Sequence, residues 1–327
     1  MFETTEFKAP WWLPSPHPQT IAGRFLRKAR ALPLTRERWT TPDDDFVDLD
    51  FAPRISDDAP IVVLFHGLEG SALRGYALNS YAELAKHGVS AVGLNFRSCS
   101  GELNHAARFY HSGETEDIRF VIARLRERFP NASLGAIGFS LGGNALLKYL
   151  GEEGENTPLR TAVAVSVPFD LSAGDRLMAQ SRMGRFYTRL FVKSLTEKMV
   201  AKEKLLPPSC DMERARRANT FREFDDAITA PLHGFDSAED YYARCSSANF
   251  IERIRVPTLL LHSEDDPFLP ATAIPLAQAA ANPMITASIQ KQGGHVGFIY
   301  GTPRHPRFWA EENASRFLAE NLHKARP

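Results

Sequence analysis

The fold is decided by Leu134-Gly135-Ala136-Ile137-Gly138-Phe139-Ser140-Leu141-Gly142-Gly143-Asn144. The first six residues are an apolar run of strand length, residues 144–150 form a helix candidate, and Ser140 lies where the two meet. A G-x-S-x-G turn at such a junction needs glycine, because the sharp bend leaves no room for Cβ atoms beside the following helix. The turn exposes the Ser140 hydroxyl and directs the Leu141 N–H, at a helix N-terminus, toward a developing oxyanion. The pattern predicts a serine nucleophile at Ser140.

Apolar runs of strand length recur on both sides of this turn. They cover residues 61–65, 90–96, 162–167 and 257–262, and earlier strand candidates cover 36–41 and 46–51. Continuous apolar runs are typical of parallel strands that are covered on both faces. Helical patterns separate the runs, the clearest being Ile118, Val121, Ile122, Leu125 and Phe129, and a last helix is expected over 308–322. The alternation predicts an α/β protein with a doubly wound sheet.

The chain is expected to divide into an arm, a core and an insertion. The strand rhythm stops between about 168 and 250, where the sequence is charged and helix-like, so residues 36–167 and 251–327 form the predicted core. The segment 168–250 is interpreted as a helical cap inserted over the carboxyl edge of the sheet. Residues 1–35 form a predicted N-terminal arm packed on the core. The prolines between Pro10 and Pro18 are taken to exclude a helix there.

Composition favours a cytoplasmic globular protein. The chain has 327 residues, a formal net charge of zero and 43% hydrophobic residues, so it can bury a core and has no global attraction to nucleic acid or to anionic membranes. Three cysteines imply no disulfide framework. The N-terminus lacks the pattern of a secretory signal, and no stretch approaches the roughly 20 apolar residues of a membrane span. No zinc spacing, G-x-G-x-x-G turn or P-loop occurs, so we expect no metal or cofactor.

A serine nucleophile needs a base and an acid that orients the base. In the α/β-hydrolase fold the order along the chain is serine, acid, histidine. Asp265 and Asp266 follow the 257–262 run, and His295 lies in a glycine-rich loop before the last helix. Both aspartates remain candidates; Asp266 is preferred because the acid in such enzymes usually precedes a short x-apolar-x-Pro turn, here Asp266-Pro267-Phe268-Leu269-Pro270.

The second oxyanion donor is expected in the loop after the 61–65 strand. That loop begins His66-Gly67-Leu68-Glu69-Gly70, and by position the Leu68 N–H is the donor, alongside that of Leu141. His66 is interpreted as a residue that holds the loop. Cys99 lies at the same sheet edge, but no base is evident beside it, so a buried structural thiol is the better interpretation.

Many further motifs occur along the chain in the same order as in a known family. They make the chain similar to the YheT-like branch of the α/β-hydrolases, the bacterial relatives of the eukaryotic membrane-anchored abhydrolase lipases. The resemblance covers nearly the whole chain. One departure is Ser98, where the family more often has glycine. The motifs that carry the resemblance are His17-Pro18-Gln19-Thr20, residues 65–71, Phe96-Arg97-Ser98-Cys99-Ser100-Gly101-Glu102, residues 110–117, residues 138–144, Arg222-Glu223-Phe224-Asp225-Asp226, residues 241–246, Asp265-Asp266-Pro267-Phe268 and residues 293–298.

The resemblance implies a mostly parallel eight-stranded sheet with a helical cap, a Ser-Asp-His triad, and hydrolysis of carboxylic esters, either short- to medium-chain acyl esters or lipids. An acyltransferase with the same triad and a non-catalytic ligand-binding member of the fold are the alternatives. Phe186, Tyr187, Leu190 and Phe191 either line an apolar acyl site or pack the cap helices together. The substrate, the oligomeric state and the acyl preference are left open by the sequence.

Overall fold

A computed structural model describes residues 2–27 and 32–324. An eight-stranded sheet in the order β1-β2-β4-β3-β5-β6-β7-β8 organises them. All strands from β4 to β8 in that order run parallel, and β2 is antiparallel to both of its neighbours. The predicted mostly parallel sheet is confirmed. The strands are β1 (Thr35–Thr40), β2 (Phe46–Phe51), β3 (Ile61–Phe65), β4 (Ser90–Asn95), β5 (Leu134–Phe139), β6 (Leu159–Val165), β7 (Thr258–Ser263) and β8 (Ile285–Gln290).

Five of these strands match the continuous apolar runs, and β1 and β2 match the two earlier strand candidates, but β8 had no such signal. Its first three residues are partly or fully exposed and only Ser288 and Gln290 are buried, because β8 is an edge strand with a neighbour on one side only. A hairpin of β9 (Ile299–Gly301) and β10 (Pro306–Phe308) follows it and was not predicted either. Edge position removes the continuous apolar run that identifies central strands.

Helices cover both faces of the sheet. The two buried apolar clusters separate accordingly, one containing Val63, Ile122 and Leu146, the other containing Val62, Leu84 and Phe317. Val62 and Val63 are neighbours with opposite faces, as strand geometry requires. The flanking helices are α2 (Gly75–Lys86), α3 (Glu116–Arg128), α4 (Leu141–Glu153), α11 (Leu276–Ala281) and α12 (Trp309–Leu322).

The N-terminal prediction was wrong in one respect, because the proline-rich stretch ends in a helix, α1 (Pro16–Leu26). Pro16 and Pro18 occupy its first turn. The first N–H groups of a helix have no intrahelical partner, so proline costs no hydrogen bond there and its fixed φ suits the helix start. The predicted arm also includes Met1 and residues 28–31, and the predicted core includes 325–327; these lie outside the described residues.

Between β6 and β7 the chain is helical. Residues 166–257, all of which the structure describes, contain no strand. We refer to residues 171–253 as the helical segment. It contains α5 (Leu171–Gln180), α6 (Arg182–Ala201), α7 (Met212–Arg217), α8 (Phe221–Phe224), a π-helical stretch (Asp225–Thr229), α9 (Ala230–His233), α10 (Ala238–Cys245) and a terminal 3-10 helix (Ser247–Arg253). Among the described residues, no helix of the protein is both long and apolar enough to cross a bilayer.

Candidate active site

Ser140 occupies a strained turn between β5 and α4. Its φ is 51° and its ψ is −120°, a conformation that side chains other than glycine adopt rarely. A Cβ on Gly138 would lie 2.5 Å from the Gly142 carbonyl oxygen, and one on Gly142 would lie 2.4 Å from the Phe65 carbonyl oxygen. Both glycines are therefore required for the close approach of backbone to backbone. The turn lifts the Ser140 side chain to the carboxyl edge of the sheet.

A continuous hydrogen-bonded chain joins Ser140, His295 and Asp266. The His295 Nε2 lies 2.9 Å from the Ser140 Oγ, and the His295 Nδ1 lies 2.8 Å from an Asp266 carboxylate oxygen. The Asp266 side chain is fully buried, and its other oxygen accepts the Phe268 N–H at 2.8 Å. Asp265 instead accepts the Gly294 N–H at 2.9 Å. Of the two aspartates that the sequence left open, the structure places Asp266 on the histidine and Asp265 on the histidine loop.

The N-terminal helix holds the histidine loop from outside. The Thr20 Oγ1 accepts the backbone N–H of His295 at 2.9 Å. The Gln19 amide accepts the Ile299 N–H at 2.8 Å and donates to the Ile299 carbonyl at 2.9 Å. Just after α1, the Arg27 guanidinium donates to the carbonyls of Val296 and Gly297 at 2.7 and 3.0 Å. The His17-Pro18-Gln19-Thr20 motif thus acts on the loop that carries His295.

The histidine loop itself is strained. Val296 has a φ of 53° and Phe298 a φ of 46°, both in the left-handed region. For a β-branched residue such as valine this is a genuine outlier, and a strained residue costs about 1–3 kcal/mol. Such a conformation persists only when its surroundings fix it. From the sheet side, the Ser166 Oγ accepts the Val296 N–H at 3.0 Å and the Ser263 hydroxyl donates to the Gly294 carbonyl at 2.9 Å.

The loop after β3 lies directly against Ser140. A Cβ on Gly67 would come within 3.1 Å of the Ser140 Cβ, which is closer than most Cβ contacts in proteins, so the loop packs tightly against the serine. Of the two sequence-predicted donors, Leu68 is the next residue after Gly67, and Leu141 follows Ser140 directly as the first residue of α4. First-turn N–H groups of a helix lack intrahelical partners and are available to an oxyanion.

His66 supports this loop, as its sequence position indicated. Its Nε2 accepts the Phe96 N–H at 3.1 Å, and its Nδ1 lies 2.7 Å from the Gly67 carbonyl oxygen. The ring is completely buried, and this desolvation lowers the pKa of His66 to about 4. A neutral ring with the proton on Nδ1 satisfies both contacts.

Glu69, the residue after Leu68, joins the loop to the helical segment. Its φ is 53°, and its carboxylate accepts hydrogen bonds from the Lys198 ammonium at 2.7 Å, from the Tyr110 hydroxyl at 2.9 Å and from the Ser194 hydroxyl. Tyr110 in turn accepts the Glu69 N–H at 2.8 Å. Since Ser194 and Lys198 both belong to α6, the position of this long helix and that of the Leu68 loop are mechanically linked.

Asn144 makes a second connection to the helical segment. Its buried amide donates to the Cys245 carbonyl at 2.7 Å and to the Ser112 carbonyl at 2.8 Å, and accepts the Ser247 N–H at 2.9 Å. These bonds satisfy three of the side chain's hydrogen-bonding positions in a dry environment. The asparagine two residues after the G-x-S-x-G turn therefore fixes α4 against the end of α10.

Aromatic rings continue from His295 into the helical segment. The Phe268 ring lies 4.5 Å from the His295 ring, and the Tyr187 ring of α6 lies 4.8 Å from Phe268. Phe191 also contacts Phe268, whereas Phe186 and Leu190 are 52% and 55% exposed. The four apolar residues singled out from the sequence thus divide: Tyr187 and Phe191 point toward the site, and Phe186 and Leu190 point to solvent.

Other candidates lack the setting for catalysis. Burial raises the pKa of the Cys99 thiol to about 11, which disfavours a thiolate.

Ser98, the departure from the family pattern, has a φ of 64°, and its hydroxyl donates to the Asn104 side chain at 2.6 Å. This bond holds a serine in the conformation that glycine would adopt freely.

Comparison with known proteins identifies relatives over most of the chain. Residues 60–302 match the family described as the alpha/beta hydrolase fold. The chain is 38% identical over 310 residues to "Putative esterase YheT" of Escherichia coli K12, covering 94% of this chain and 91% of that protein. It is 33% identical to the monoacylglycerol lipase of Saccharomyces cerevisiae (86% of this chain, 63% of the lipase) and 29% identical to phospholipase ABHD3 of Homo sapiens (86% and 71%).

Solved structures resemble the chain at the level of the fold. An esterase from Pyrococcus furiosus has a TM-score of 0.60 at 15% identity, with 98% of each chain covered. The ferulic acid complex of Est1E from Butyrivibrio proteoclasticus has a TM-score of 0.54 at 13% identity, covering 88% of this chain and all of that chain (100%). These likenesses concern the arrangement of sheet and helices.

Proposed function

The chain belongs to the α/β hydrolase fold family, in the branch that contains "Putative esterase YheT", and is a carboxylic ester hydrolase; we propose that it works through an acyl-enzyme formed on Ser140. The observation that supports this mechanism is the hydrogen-bonded chain from Ser140 through His295 to the buried Asp266. The loops of Leu68 and Leu141 meet beside the same serine.

In the proposed reaction the Ser140 hydroxyl attacks the ester carbonyl carbon while His295 Nε2 takes the hydroxyl proton. The carbonyl oxygen becomes an oxyanion, which the N–H groups of Leu68 and Leu141 bind. Collapse of this intermediate breaks the bond to the alcohol, which leaves with the proton from His295. Water then attacks the acyl-enzyme by the same steps and releases the carboxylic acid. Asp266 orients the imidazole and stabilises its protonated form.

We further propose that residues 168–250 act as a cap over this site. Tyr187 and Phe191 of α6 contact Phe268, whose ring packs on His295. An acyl chain attached to Ser140 would therefore meet aromatic surface from the helical segment. Homology to a monoacylglycerol lipase and a phospholipase supports lipid-derived acyl esters as the substrate class.

The mechanism is tested by labelling and turnover. A fluorophosphonate probe is expected to label wild-type protein at Ser140, and Ser140→Ala is expected to lose both the label and the hydrolysis of p-nitrophenyl esters. Since residual catalysis without a triad member is small, turnover should fall by about 10⁴-fold or more. A folded wild-type protein that resists the probe, or an alanine variant that keeps its turnover, contradicts the proposal. A series of p-nitrophenyl esters of increasing length then measures acyl preference.

A further inference from the structure

The outward face of α6 carries an apolar stripe and a basic stripe side by side. Spacings of three and four residues keep each stripe on one side of the helix, and an offset of one residue places the two stripes next to each other. All of these side chains are exposed. The apolar stripe consists of Met183, Phe186 and Leu190, and the basic stripe of Arg182, Arg185, Arg189 and Lys193.

The basic stripe is not neutralised by its own helix. Within α6 the first acidic residue is Glu197, which lies 3.9 Å from Lys193. Among the described residues, the three arginines of the stripe form no ion pair. The other arginine cluster of the helical segment is different, because α7 pairs its arginines with Asp226, Glu203 and Glu213. The chain's zero net charge thus conceals a local positive face on α6.

The inward face of the same helix contacts the candidate active site at two places. Tyr187 reaches His295 through Phe268, and Ser194 and Lys198 bind Glu69 beside the Leu68 loop. The buried Lys202 near the C-terminal end donates to the Asn104 side chain at 2.8 Å, which anchors the helix on the core. The exposed stripes therefore lie on the outer side of a helix whose inner side borders the Ser140 site.

Helix α1 lies beside the same region of α6. The rings of His17 and Tyr187 stack with centroids 6.0 Å apart. One and two turns beyond His17, Ile21 and Phe25 are exposed, at 42% and 71%. Residues four apart lie on the same helix face, so α1 continues the exposed apolar surface next to α6.

We propose that α6 docks this protein on the surface of a bilayer that contains anionic phospholipid. Exposed apolar side chains enter the boundary between headgroups and acyl chains, and neighbouring arginine and lysine side chains bind the anionic headgroups. A second copy of the chain fits this surface less well, because a symmetric contact would bring two uncompensated basic stripes together. The inference rests on the proposed ester hydrolysis, because docking would bring acyl esters held in the bilayer to the Ser140 site.

The test is sedimentation of the full-length protein with vesicles. Wild type should pellet with vesicles of phosphatidylglycerol and phosphatidylcholine, bind pure phosphatidylcholine at least tenfold more weakly, and be released from the anionic vesicles by high salt. Phe186→Ser with Leu190→Ser should weaken binding to the anionic vesicles about tenfold or more, since both side chains lose their apolar surface. The matched control replaces Ile55 and Met284 by serine. Both are exposed, at 49% and 38%, and both lie at the amino ends of parallel strands, opposite the carboxyl ends where Ser140 lies.

Turnover of water-soluble p-nitrophenyl butyrate is measured on the same samples. The docking variant should keep the wild-type rate, so a loss of vesicle binding is separable from a failure of the proposed chemistry. Wild type that stays in the supernatant, or a docking variant that binds as well as the Ile55/Met284 control, overturns the docking proposal. So does a wild-type dimer in light scattering that the Phe186/Leu190 exchange dissociates, because the surface would then belong to a second copy.

Discussion

Replacing Thr20 by valine tests whether the N-terminal helix positions the candidate base. The exchange keeps the shape of the side chain but removes the oxygen that accepts the His295 N–H at 2.9 Å. The backbone N–H of His295, which loses its acceptor, is partly buried, and leaving such a donor unsatisfied costs about 1–3 kcal/mol. The loop that bears it is already strained at Val296 and Phe298. We therefore expect the histidine loop to relax, because this costs less free energy than unfolding the whole protein.

The expected magnitude follows from this cost. If 1–3 kcal/mol shifts the equilibrium toward a relaxed loop, the fraction of molecules with His295 aligned falls between about fivefold and 150-fold. We expect kcat for p-nitrophenyl butyrate to fall by that factor while KM stays close to wild type, because ground-state binding does not involve the Thr20 contact. The rate of fluorophosphonate labelling at Ser140 should fall in parallel. Thr20→Ser keeps the acceptor oxygen and should recover most of the activity.

Thr4→Val is the matched control. Thr4 lies in the same N-terminal region, and its hydroxyl lies 2.6 Å from that of Ser288 in β8, away from the histidine loop. The two valine variants should lose similar free energy of unfolding in urea, but only Thr20→Val should lose turnover. If Thr20→Val keeps kcat within twofold of wild type, or if Thr4→Val loses as much kcat, the hydrogen bond from His295 to Thr20 does not position the imidazole.

Three further predictions concern the site and its surroundings. Asp266→Asn should lower kcat by about 10⁴-fold, whereas Asp265→Asn should lower it about tenfold at most, because only Asp266 contacts the imidazole; equal losses in steady-state assays would contradict this assignment. Glu69→Gln should lower kcat about tenfold by freeing the Leu68 loop, and adding Lys198→Met should restore part of it by removing a cation left without its partner; an unchanged kcat for the single variant refutes the link. Burial lowers the pKa of His262 to about 4, so this neutral ring contributes stability above its unfolded pKa of about 6.5 that is lost as pH falls toward 4. His262→Leu should therefore reduce the pH slope of the unfolding free energy near pH 5 by about 1 kcal/mol per pH unit, measured by urea titration; identical slopes would show that His262 is protonated in the folded protein.

The sequence was sufficient where the signal is local. The strand before Ser140, the turn and the helix after it are adjacent residues, and each obeys a rule of backbone geometry that needs no partner. Strand order along the chain and the apolar runs likewise sufficed for the central sheet. The preference for Asp266 over Asp265 rested on a short turn pattern, and the structure places Asp266 on His295.

The sequence was insufficient where the signal is a contact between distant residues. Thr20 and His295 are separated by 275 positions, and Glu69 and Lys198 by 129. No periodicity encodes such a pair, since each residue alone resembles a surface residue of its own segment. The helix at Pro16–Leu26 differs from the prediction because proline disfavours the interior of a helix but is tolerated in its first turn, where Pro16 and Pro18 lie.

Local sequence patterns and contacts between distant residues concern different parts of the candidate site. Adjacent residues of β5 and α4 form the turn that carries Ser140, the candidate nucleophile. His295, the candidate base, lies on a strained loop that Thr20 and Arg27 contact, and the proposed oxyanion loop is joined through Glu69 to α6. A serine in the right turn is thus only part of the proposed site: we expect the reacting groups to reach their distances when α1 and α6 hold these two loops. The same two helices carry the exposed apolar side chains that we propose to enter a bilayer. A bilayer that binds α1 and α6 would therefore also hold the histidine loop and the Leu68 loop in place.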